Sequence, residues 1–221
     1  MKPVAFLFDN DGVLIDSSEL HWQSWQLMMR EIPALKMDKE AFIHGFGKRN
    51  DLILEEIVPH VPKEIRKQWA ERKEALFREC ARGKVALLSG MEHFLQQVVA
   101  AQIPHIIASS TPVENLEMYI KTTVLGRYFQ QYISGEEVAH GKPAPDVFIA
   151  AAQRLNFSPS QCVVFEDAPA GIKAGKAAGS FVVALATTHT KEQLKDYHLI
   201  YPSPRELNLQ EILHGFNAWS K

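Results

Sequence analysis

Two short acidic segments hold the side chains best suited to chemistry. Asp9 and Asp11 lie two residues apart in the sequence Asp-Asn-Asp-Gly, and carboxylates at this spacing could share one divalent cation, or one could attack while the other moves protons. The same pattern is also typical of a turn. Glu166 and Asp167 are adjacent acids after an apolar run. Because neighbouring negative charges are costly unless a cation or base offsets them, this pair indicates a functional site.

Two further segments could hold an anion near these acids. Ser109, Ser110 and Thr111 offer hydroxyls and backbone amides that suit an anionic oxygen where a strand meets a helix, although the same residue types also cap helices. Lys142 lies in the sequence Gly-Lys-Pro-Ala-Pro-Asp, where prolines stiffen the loop; a single lysine is otherwise typical of solvated surface. Together, the four segments indicate one site.

The elements that must position these side chains form an alternating pattern. Continuous apolar runs typical of buried parallel strands occur at residues 4–8, 105–108, 162–165 and 181–184, with a weaker run at 132–133. Helical patterns separate these runs. The alternation predicts an α/β fold with a doubly wound parallel sheet of the Rossmann type, in which ligands bind at the carboxyl ends of the strands.

The pattern changes after the first strand. The sequence from about residue 16 to residue 85 lacks a convincing strand and predicts helices around residues 22–29, 52–57 and 63–80. Asp16 and Glu19 have the spacing of a capping box for the first helix. We therefore predict a small α-helical cap at residues 16–85, inserted into an α/β core formed by residues 1–15 and 86–221.

The composition excludes several classes of protein. Of 221 residues, 46% are hydrophobic and 23% are charged, and the formal net charge of -2 gives no case for binding nucleic acid or an anionic membrane surface. The first apolar run meets an acid after five residues, too few for a signal peptide, and no stretch reaches the length of a membrane span. We expect a cytoplasmic protein, monomeric by default.

Four segments resemble the signature motifs of the haloacid dehalogenase (HAD) superfamily. They are residues 8–17 (Phe-Asp-Asn-Asp-Gly-Val-Leu-Ile-Asp-Ser), 108–110 (Ala-Ser-Ser), 141–146 (Gly-Lys-Pro-Ala-Pro-Asp) and 165–172 (Phe-Glu-Asp-Ala-Pro-Ala-Gly-Ile). The resemblance covers nearly the whole chain, including the inserted cap, and is strongest to the branch of β-phosphoglucomutases and sugar-phosphate phosphatases. It specifies the superfamily and mechanism far more closely than the substrate.

The resemblance implies a catalytic role for each motif. Asp9 would be the nucleophile that forms an aspartyl-phosphate, which suits a carboxylate that is ionised at neutral pH, and Asp11 would be the general acid and then base. Ser109, with the backbone amide of Ser110, would bind a phosphoryl oxygen. Lys142 would neutralise transition-state charge and hold Asp9 in place.

The resemblance also implies a Mg²⁺ cofactor. Its ligands would be the carboxylate of Asp9, the backbone carbonyl of Asp11 and the carboxylate of Asp167, with Glu166 acting directly or through water. Mg²⁺ prefers such oxygen ligands and reduces the repulsion between an anionic nucleophile and an anionic phosphate.

Cap residues would select the substrate, a small phosphorylated metabolite. His21 and Lys73 match cap positions that this branch uses around the acid/base aspartate, although Lys73 is equally typical of a solvated helix face. The segment from Gly45 to Arg49 resembles the specificity loop of the branch. Within it, Lys48 aligns with an arginine that the mutases use for a distal phosphate, and Arg49 lies beside it.

Several activities remain open on this resemblance. We expect a phosphatase that acts on a sugar phosphate, with a mutase of the β-phosphoglucomutase type as the alternative. Lysine at position 48 weakens the mutase alternative, because an arginine can bind a phosphate through two hydrogen bonds whereas a lysine offers only a point charge. Asp11 and the Glu166-Asp167 pair argue against a dehalogenase, and the presence of every motif residue argues against a non-catalytic binding protein.

Overall fold

Six parallel strands form the centre of the fold. The computed structural model describes residues 2–220, and its strands are β1 (Ala5–Phe8), β2 (His105–Ser109), β3 (Tyr132–Ser134), β4 (Cys162–Glu166), β5 (Phe181–Leu185) and β6 (Leu199–Tyr201). They pair in the order β3-β2-β1-β4-β5-β6, and every pair is parallel. The strand order changes direction at β1, which opens a crevice at the carboxyl ends of β1 and its neighbours.

Helices connect these strands and fill the long segment after β1. They are α1 (Ser18–Glu31), α2 (Lys39–Gly45), α3 (Asn50–Ile57), α4 (Lys63–Ala81), α5 (Met91–Ala100), α6 (Val113–Thr122), α7 (Asp146–Arg154), α8 (Pro169–Ala177) and α9 (Leu209–Trp219). Short 3₁₀ helices occur at Val124–Arg127, Gly135–Glu137, Pro159–Gln161 and Pro204–Glu206. Within residues 2–220, none of the helices combines the length and the apolar character that crossing a membrane would require.

Both faces of the sheet are apolar and both are covered by helices. Side chains alternate along β1, so Phe6 and Phe8 lie in one core cluster with side chains of α5 and α9, and Leu7 lies in a second cluster with side chains of α7 and α8. Phe8 stacks on Phe165 of β4 with ring centroids 4.4 Å apart. The predicted doubly wound α/β fold is confirmed.

The helices α1 to α4 enclose a third hydrophobic cluster, which includes Trp25, Phe42, Leu54 and Leu76. The chain enters and leaves this segment along two adjacent connections. An antiparallel bridge joins Ile15 to Leu87, and the backbone N–H of the next residue, at position 16, donates to the carbonyl oxygen at position 86 at 3.0 Å. The segment is helical as expected, and the proposed domain boundaries stay a prediction.

Three local features differ from the sequence prediction. The capping box of Asp16 and Glu19 is wrong: Ser17 is the N-cap of α1, its side chain does not bond back to the helix, and its hydroxyl donates instead to Asp11. The prediction also omitted α2, whose N-terminus was signalled by Asp38, which accepts from the Ala41 N–H at 2.8 Å. It omitted β6 as well, because three residues at a sheet edge leave too short a pattern.

We expect Leu7→Ala to lower the free energy of unfolding by about 2–5 kcal/mol, because Leu7 is wholly buried in the central strand and the substitution leaves a cavity. Denaturant unfolding followed by circular dichroism measures the change. Val99→Ala is the control, since Val99 is 46% exposed and should change stability by less than about 0.5 kcal/mol. Equal effects of the two substitutions would contradict the central position of β1.

Candidate active site

The turn after β1 places two aspartates at the carboxyl end of the central strand. The backbone N–H of Asp9 donates to the carbonyl oxygen of Phe165 on β4 at 3.0 Å, which continues the strand pairing into the turn. Gly12 has a φ of +81°, and a Cβ atom at this position would overlap the carboxylate of Asp167. Glycine therefore permits both the backbone conformation and the close approach of the two loops.

Lys142 joins the ends of β1 and β4 electrostatically. Its Nζ atom donates to Asp9 Oδ1 at 2.7 Å and to Glu166 Oε1 at 2.5 Å, and all three side chains are buried. Burial alone would lower the pKa of Lys142, but the two carboxylates outweigh burial and raise it. The lysine is therefore a permanent positive charge between two acids. Buried charges are costly unless they are paired, and this arrangement pairs all three.

Asp9, Glu166 and Asp167 form a buried acidic cluster. Each offers a carboxylate oxygen that lies within 4.8 Å of the others. Burial raises the pKa of Asp9 to about 7, and the charge of Glu166 adds to this effect against the opposing effect of Lys142. Burial, together with the charges of Glu166 and Asp9, also raises the pKa of Asp167.

The donor set of this cluster fits a hard cation. Among residues 2–220, neither carboxylate oxygen of Asp167 has a hydrogen-bond partner although both are buried. Glu166 is already engaged, because its Oε2 accepts from the backbone N–H groups of Asp167 (3.0 Å) and Ala168 (3.2 Å). A small divalent ion with oxygen ligands would offset the charges and give Asp167 a partner.

The carboxylate of Asp11 belongs to a different set of contacts. Its Oδ1 accepts from the hydroxyls of Ser17 (2.6 Å) and Tyr119 (2.8 Å), and its Oδ2 accepts from Thr111. Burial would raise the pKa of Asp11, but the nearby His21 imidazole and the hydrogen bonds from Ser17 and Thr111 outweigh burial and hold it below its ordinary value. The two aspartates of the turn thus have opposite pKa shifts.

The loop after β2 lies beside both aspartates. The hydroxyls of Ser109 and Thr111 are 3.0 Å apart, and a hydrogen bond from Ser109 lowers the pKa of Asp9 in part. The hydroxyl of Ser110 donates to the backbone carbonyl of Gly47, in the loop after α2, at 2.9 Å. The side chain of Ser110 therefore joins the helical segment to the sheet, and its backbone amide stays the candidate group for a phosphoryl oxygen.

His21 and Lys73 reach Asp11 from the helical segment. Lys73 is 1% exposed, and its Nζ lies 2.6 Å from His21 Nδ1. An ammonium has only donors, so His21 carries its proton on Nε2, which faces Asp11 Oδ1 at 3.4 Å. The imidazole stacks on Phe77 with centroids 3.8 Å apart, which fixes its orientation. Lys73 is not the solvated surface residue that the alternative interpretation required.

The residues of the predicted specificity loop, from Gly45 to Arg49, differ in their position relative to the cleft. Gly45 ends α2 and lies against Ile53. Ile53 lines the cleft, but Gly45 itself does not. Lys48 lines the cleft, but its Nζ donates to both carboxylate oxygens of Glu56, at 2.7 and 2.9 Å.

Arg49 also lines the cleft and is engaged on several sides. Its Nε and Nη2 donate to the two oxygens of Asp51, at 3.1 and 2.9 Å. Its Nη1 donates to the backbone carbonyls of Gly135 (3.2 Å) and Val138 (3.4 Å) across the cleft. Arg49 therefore connects the loop after α2 to the backbone that follows β3, and its guanidinium donors are engaged by these protein groups.

Several polar residues at the site have contacts that the sequence did not predict. Ser17 lies in the first motif segment and Thr111 was named with the two serines before it, but neither was expected to donate to Asp11. Glu74, Tyr119 and Asn115 are buried at the site but lie within helices that carry no local sign of function. Of these residues, Thr111 and Glu74 line the cleft, which has a volume of about 840 Å³ and is lined mainly by the loops after β1 and β2 together with α1, α3 and α4.

Comparison with known families agrees with this geometry. Residues 4–179 match the family of haloacid dehalogenase-like hydrolases. The match spans most of the chain, so the protein belongs to the haloacid dehalogenase-like hydrolase family. The expected superfamily is therefore confirmed.

Individual relatives include both phosphatases and mutases. The chloroplastic 5-amino-6-(5-phospho-D-ribitylamino)uracil phosphatase of Arabidopsis thaliana is 30% identical over 93% of this chain, which spans 56% of the length of the plant protein. A β-phosphoglucomutase of Bacillus subtilis is 30% identical over 82% of each chain. The crystal structure of a HAD hydrolase of family IA, variant 3, from Entamoeba histolytica has a TM-score of 0.86 at 28% identity, and the match covers 97% of this chain and 99% of that one.

The acidic cluster predicts how stability depends on pH. The pKa of Asp9 is raised from 3.8 to about 7, and a carboxyl whose folded pKa is raised loses its stabilising contribution as the pH rises through that range. In EDTA, the unfolding temperature should therefore fall as the pH rises from about 4 to about 7. Mg²⁺ should raise the unfolding temperature more at about pH 8 than at about pH 5, because it binds the ionised carboxylates.

Thermal unfolding followed by circular dichroism, with EDTA or Mg²⁺, measures both effects. Asp167→Asn is the matched variant, since it keeps the side-chain shape and removes one charge. We expect a flatter pH dependence in EDTA and a smaller Mg²⁺ effect. Identical behaviour of the variant and the wild type would show that the cluster does not bind the cation.

Proposed function

We propose that this protein is a Mg²⁺-dependent phosphatase that hydrolyses the phosphate monoester of a sugar or a similar polyol through an aspartyl-phosphate on Asp9. The main support for this proposal is that the side chains of Asp9 and Asp11 have different surroundings. One lies in the acidic cluster with Lys142, and the other faces hydroxyls and His21. A nucleophile and a proton donor need these different surroundings.

Three groups would hold the cation: the carboxylates of Asp9 and Asp167 and the backbone carbonyl of Asp11, with Glu166 oriented behind them by Lys142 and its own loop. Bound Mg²⁺ would reduce the repulsion between the nucleophile and the phosphate and polarise a phosphoryl oxygen.

The chain's own residues would perform two displacements. In the first, an Asp9 oxygen forms a bond to phosphorus, the bond from phosphorus to the ester oxygen breaks, and Asp11 gives its proton to the leaving alkoxide. In the second, Asp11 takes a proton from water, the water oxygen bonds to phosphorus, and the Asp9 carboxylate leaves. Ser109 and the amide of Ser110 would bind phosphoryl oxygens, and Lys142 would offset the developing charge.

Asp11 must be protonated before the first displacement, although its surroundings favour the ionised form. The substrate supplies the necessary change, because a phosphate that arrives beside Asp11 adds negative charge and raises the pKa of the carboxyl. A monoester near its second pKa of about 6 can also deliver the proton itself.

The ion pairs formed by Lys48 and Arg49 in the cleft support a phosphatase over a mutase. A mutase must bind a second phosphate of a bisphosphate, and Lys48 and Arg49 are the candidates for this task. Both are paired with acids from the same segment, Glu56 and Asp51, so part of their charge is already offset. Residues 16–85 would act as the cap that selects the polyol and excludes water in the first displacement.

We expect Asp9→Asn to reduce Mg²⁺-dependent hydrolysis of p-nitrophenyl phosphate by at least about a thousand-fold, because an amide cannot form the aspartyl-phosphate. Phosphate release measures the loss, and acid quenching followed by mass spectrometry of the wild type should locate the phosphate on Asp9. Asp196→Asn makes the same chemical change at an exposed position and should leave the rate unchanged. Full activity of the Asp9 variant, or turnover in EDTA, would refute the mechanism.

A product assay separates the two activities. The protein is incubated with β-glucose 1-phosphate, Mg²⁺ and a catalytic amount of glucose 1,6-bisphosphate. We expect inorganic phosphate to accumulate, because water should accept the phosphoryl group from Asp9. Accumulation of glucose 6-phosphate without phosphate release would identify a mutase instead. A panel of phosphorylated sugars and polyols then ranks the substrates by kcat/KM.

A further inference from the structure

Asn115 joins the sheet-flanking helix α6 to the inserted helix α4 through both ends of its amide. Its Nδ2 donates to Glu74 Oε2 at 2.5 Å, and its Oδ1 accepts from Arg78 Nη1 at 3.0 Å. Glu74 and Arg78 are four residues apart on α4 and so share one face of the helix. Asn115 is wholly buried, so both bonds depend on α4 being docked against α6.

Glu74 links Asn115 to Lys73, because it accepts hydrogen bonds from both residues. Its Oε1 accepts from Lys73 Nζ at 2.9 Å and from Asn50 Nδ2 at 2.5 Å. The carboxylate of Glu74 is therefore held by donors on both oxygens, from α3, α4 and α6. A buried carboxylate that loses one donor is left with an uncompensated oxygen, so loss of the Asn115 amide would draw Glu74 and its partner Lys73 out of position.

The remaining steps lead back to the catalytic turn. Lys73 donates to His21 Nδ1 and so fixes the proton on Nε2, which faces Asp11. The network thus leaves the α/β core at Asn115, crosses α4 and α1, and returns to the core at Asp11. A shift of Lys73 would free His21 to change tautomer or rotate, which would remove a donor from the Asp11 carboxylate.

We propose that Asn115 is a positioning residue that couples the docked position of α4 to the Asp11–His21–Lys73 arm used for proton transfer. This inference rests on the proposed function, in which Asp11 protonates the leaving group. Asn115 lies outside the matching motif segments and contacts neither aspartate of the catalytic turn, so its effect is exerted through Glu74.

The leaving group provides a readout that a merely structural role would not move. Alkoxides from sugars and polyols require a proton as they leave, whereas nitrophenolate is a stable anion that requires little protonation. In Asn115→Leu we expect kcat/KM for an alkyl phosphate, which covers the steps through departure of the leaving group, to fall about ten- to a hundred-fold. The kcat/KM for p-nitrophenyl phosphate should change by less than about three-fold, as for a step without general acid catalysis. Neither kcat/KM value includes the second displacement, in which Asp11 acts as a base whichever ester was cleaved.

The alkyl phosphate is whichever of glucose 6-phosphate, ribose 5-phosphate and glycerol 3-phosphate the wild type hydrolyses fastest. Glu117→Gln is the matched control, because it removes a polar contact from α6 at an exposed pair with Lys121. It should leave the ratio of the two kcat/KM values unchanged.

A reciprocal exchange tests the contact itself. Asn115→Asp removes the donor and places a carboxylate against Glu74, so it should show the same selective loss. Adding Glu74→Gln restores a donor facing an acceptor at the same pair, with the total charge unchanged, and should recover part of the alkyl phosphate activity relative to Asn115→Asp alone.

The outcomes separate this inference from the proposed function. Equal loss on both substrates in Asn115→Leu, no loss on either, or no recovery in the double variant would overturn the role of Asn115. A wild type without Mg²⁺-dependent hydrolysis of p-nitrophenyl phosphate or of any phosphate ester would instead overturn the proposed function.

Discussion

The structure depends on the cost of concentrating negative charge at the carboxyl ends of β1 and β4. Three buried carboxylates share this position, and Lys142 supplies one fixed positive charge between two of them. Charges of like sign in a buried site are tolerated only when counter-charges and hydrogen bonds offset them. One lysine does not balance three acids, so burial and the neighbouring charges raise the pKa values of Asp9 and Asp167, and the donor set fits a hard cation.

The same constraint explains why two aspartates in one turn differ so much. Asp9 still pairs with β4 through its backbone N–H, whereas the chain turns directly after it, and Gly12 lets the turn pass close to the β4 loop. Asp9 therefore shares the acidic cluster, while Asp11 is surrounded by hydroxyls and His21. Opposite shifts in pKa follow from these surroundings, so a single turn gives two chemically identical groups different affinities for a proton.

Much of the core and its motifs could be predicted from the sequence, because buried parallel strands are continuous apolar runs and their carboxyl ends must meet. The helical segment was less predictable. Its charged helix α4 contains both exposed Lys63 and buried Lys73, and only the docking of the helix distinguishes them. Glu74 and Asn115 are 41 residues apart, so their contact depends on tertiary structure alone. The three residues of β6 and the mostly polar start of α2 left too little periodicity to detect.

The adjacent connections at Ile15 and Leu87 have a topological consequence. Because the incoming and outgoing strands of chain touch, the α/β core would close almost without a gap if the four helices were absent. The chain therefore enters and leaves the four-helix segment at one place on the core, and the other connections between the two are side-chain contacts such as Ser110 with Gly47 and Asn115 with Glu74. A segment inserted in this way can be lengthened, exchanged or rebuilt without rethreading the sheet, so its residues can change while the acids at the sheet edge stay in place.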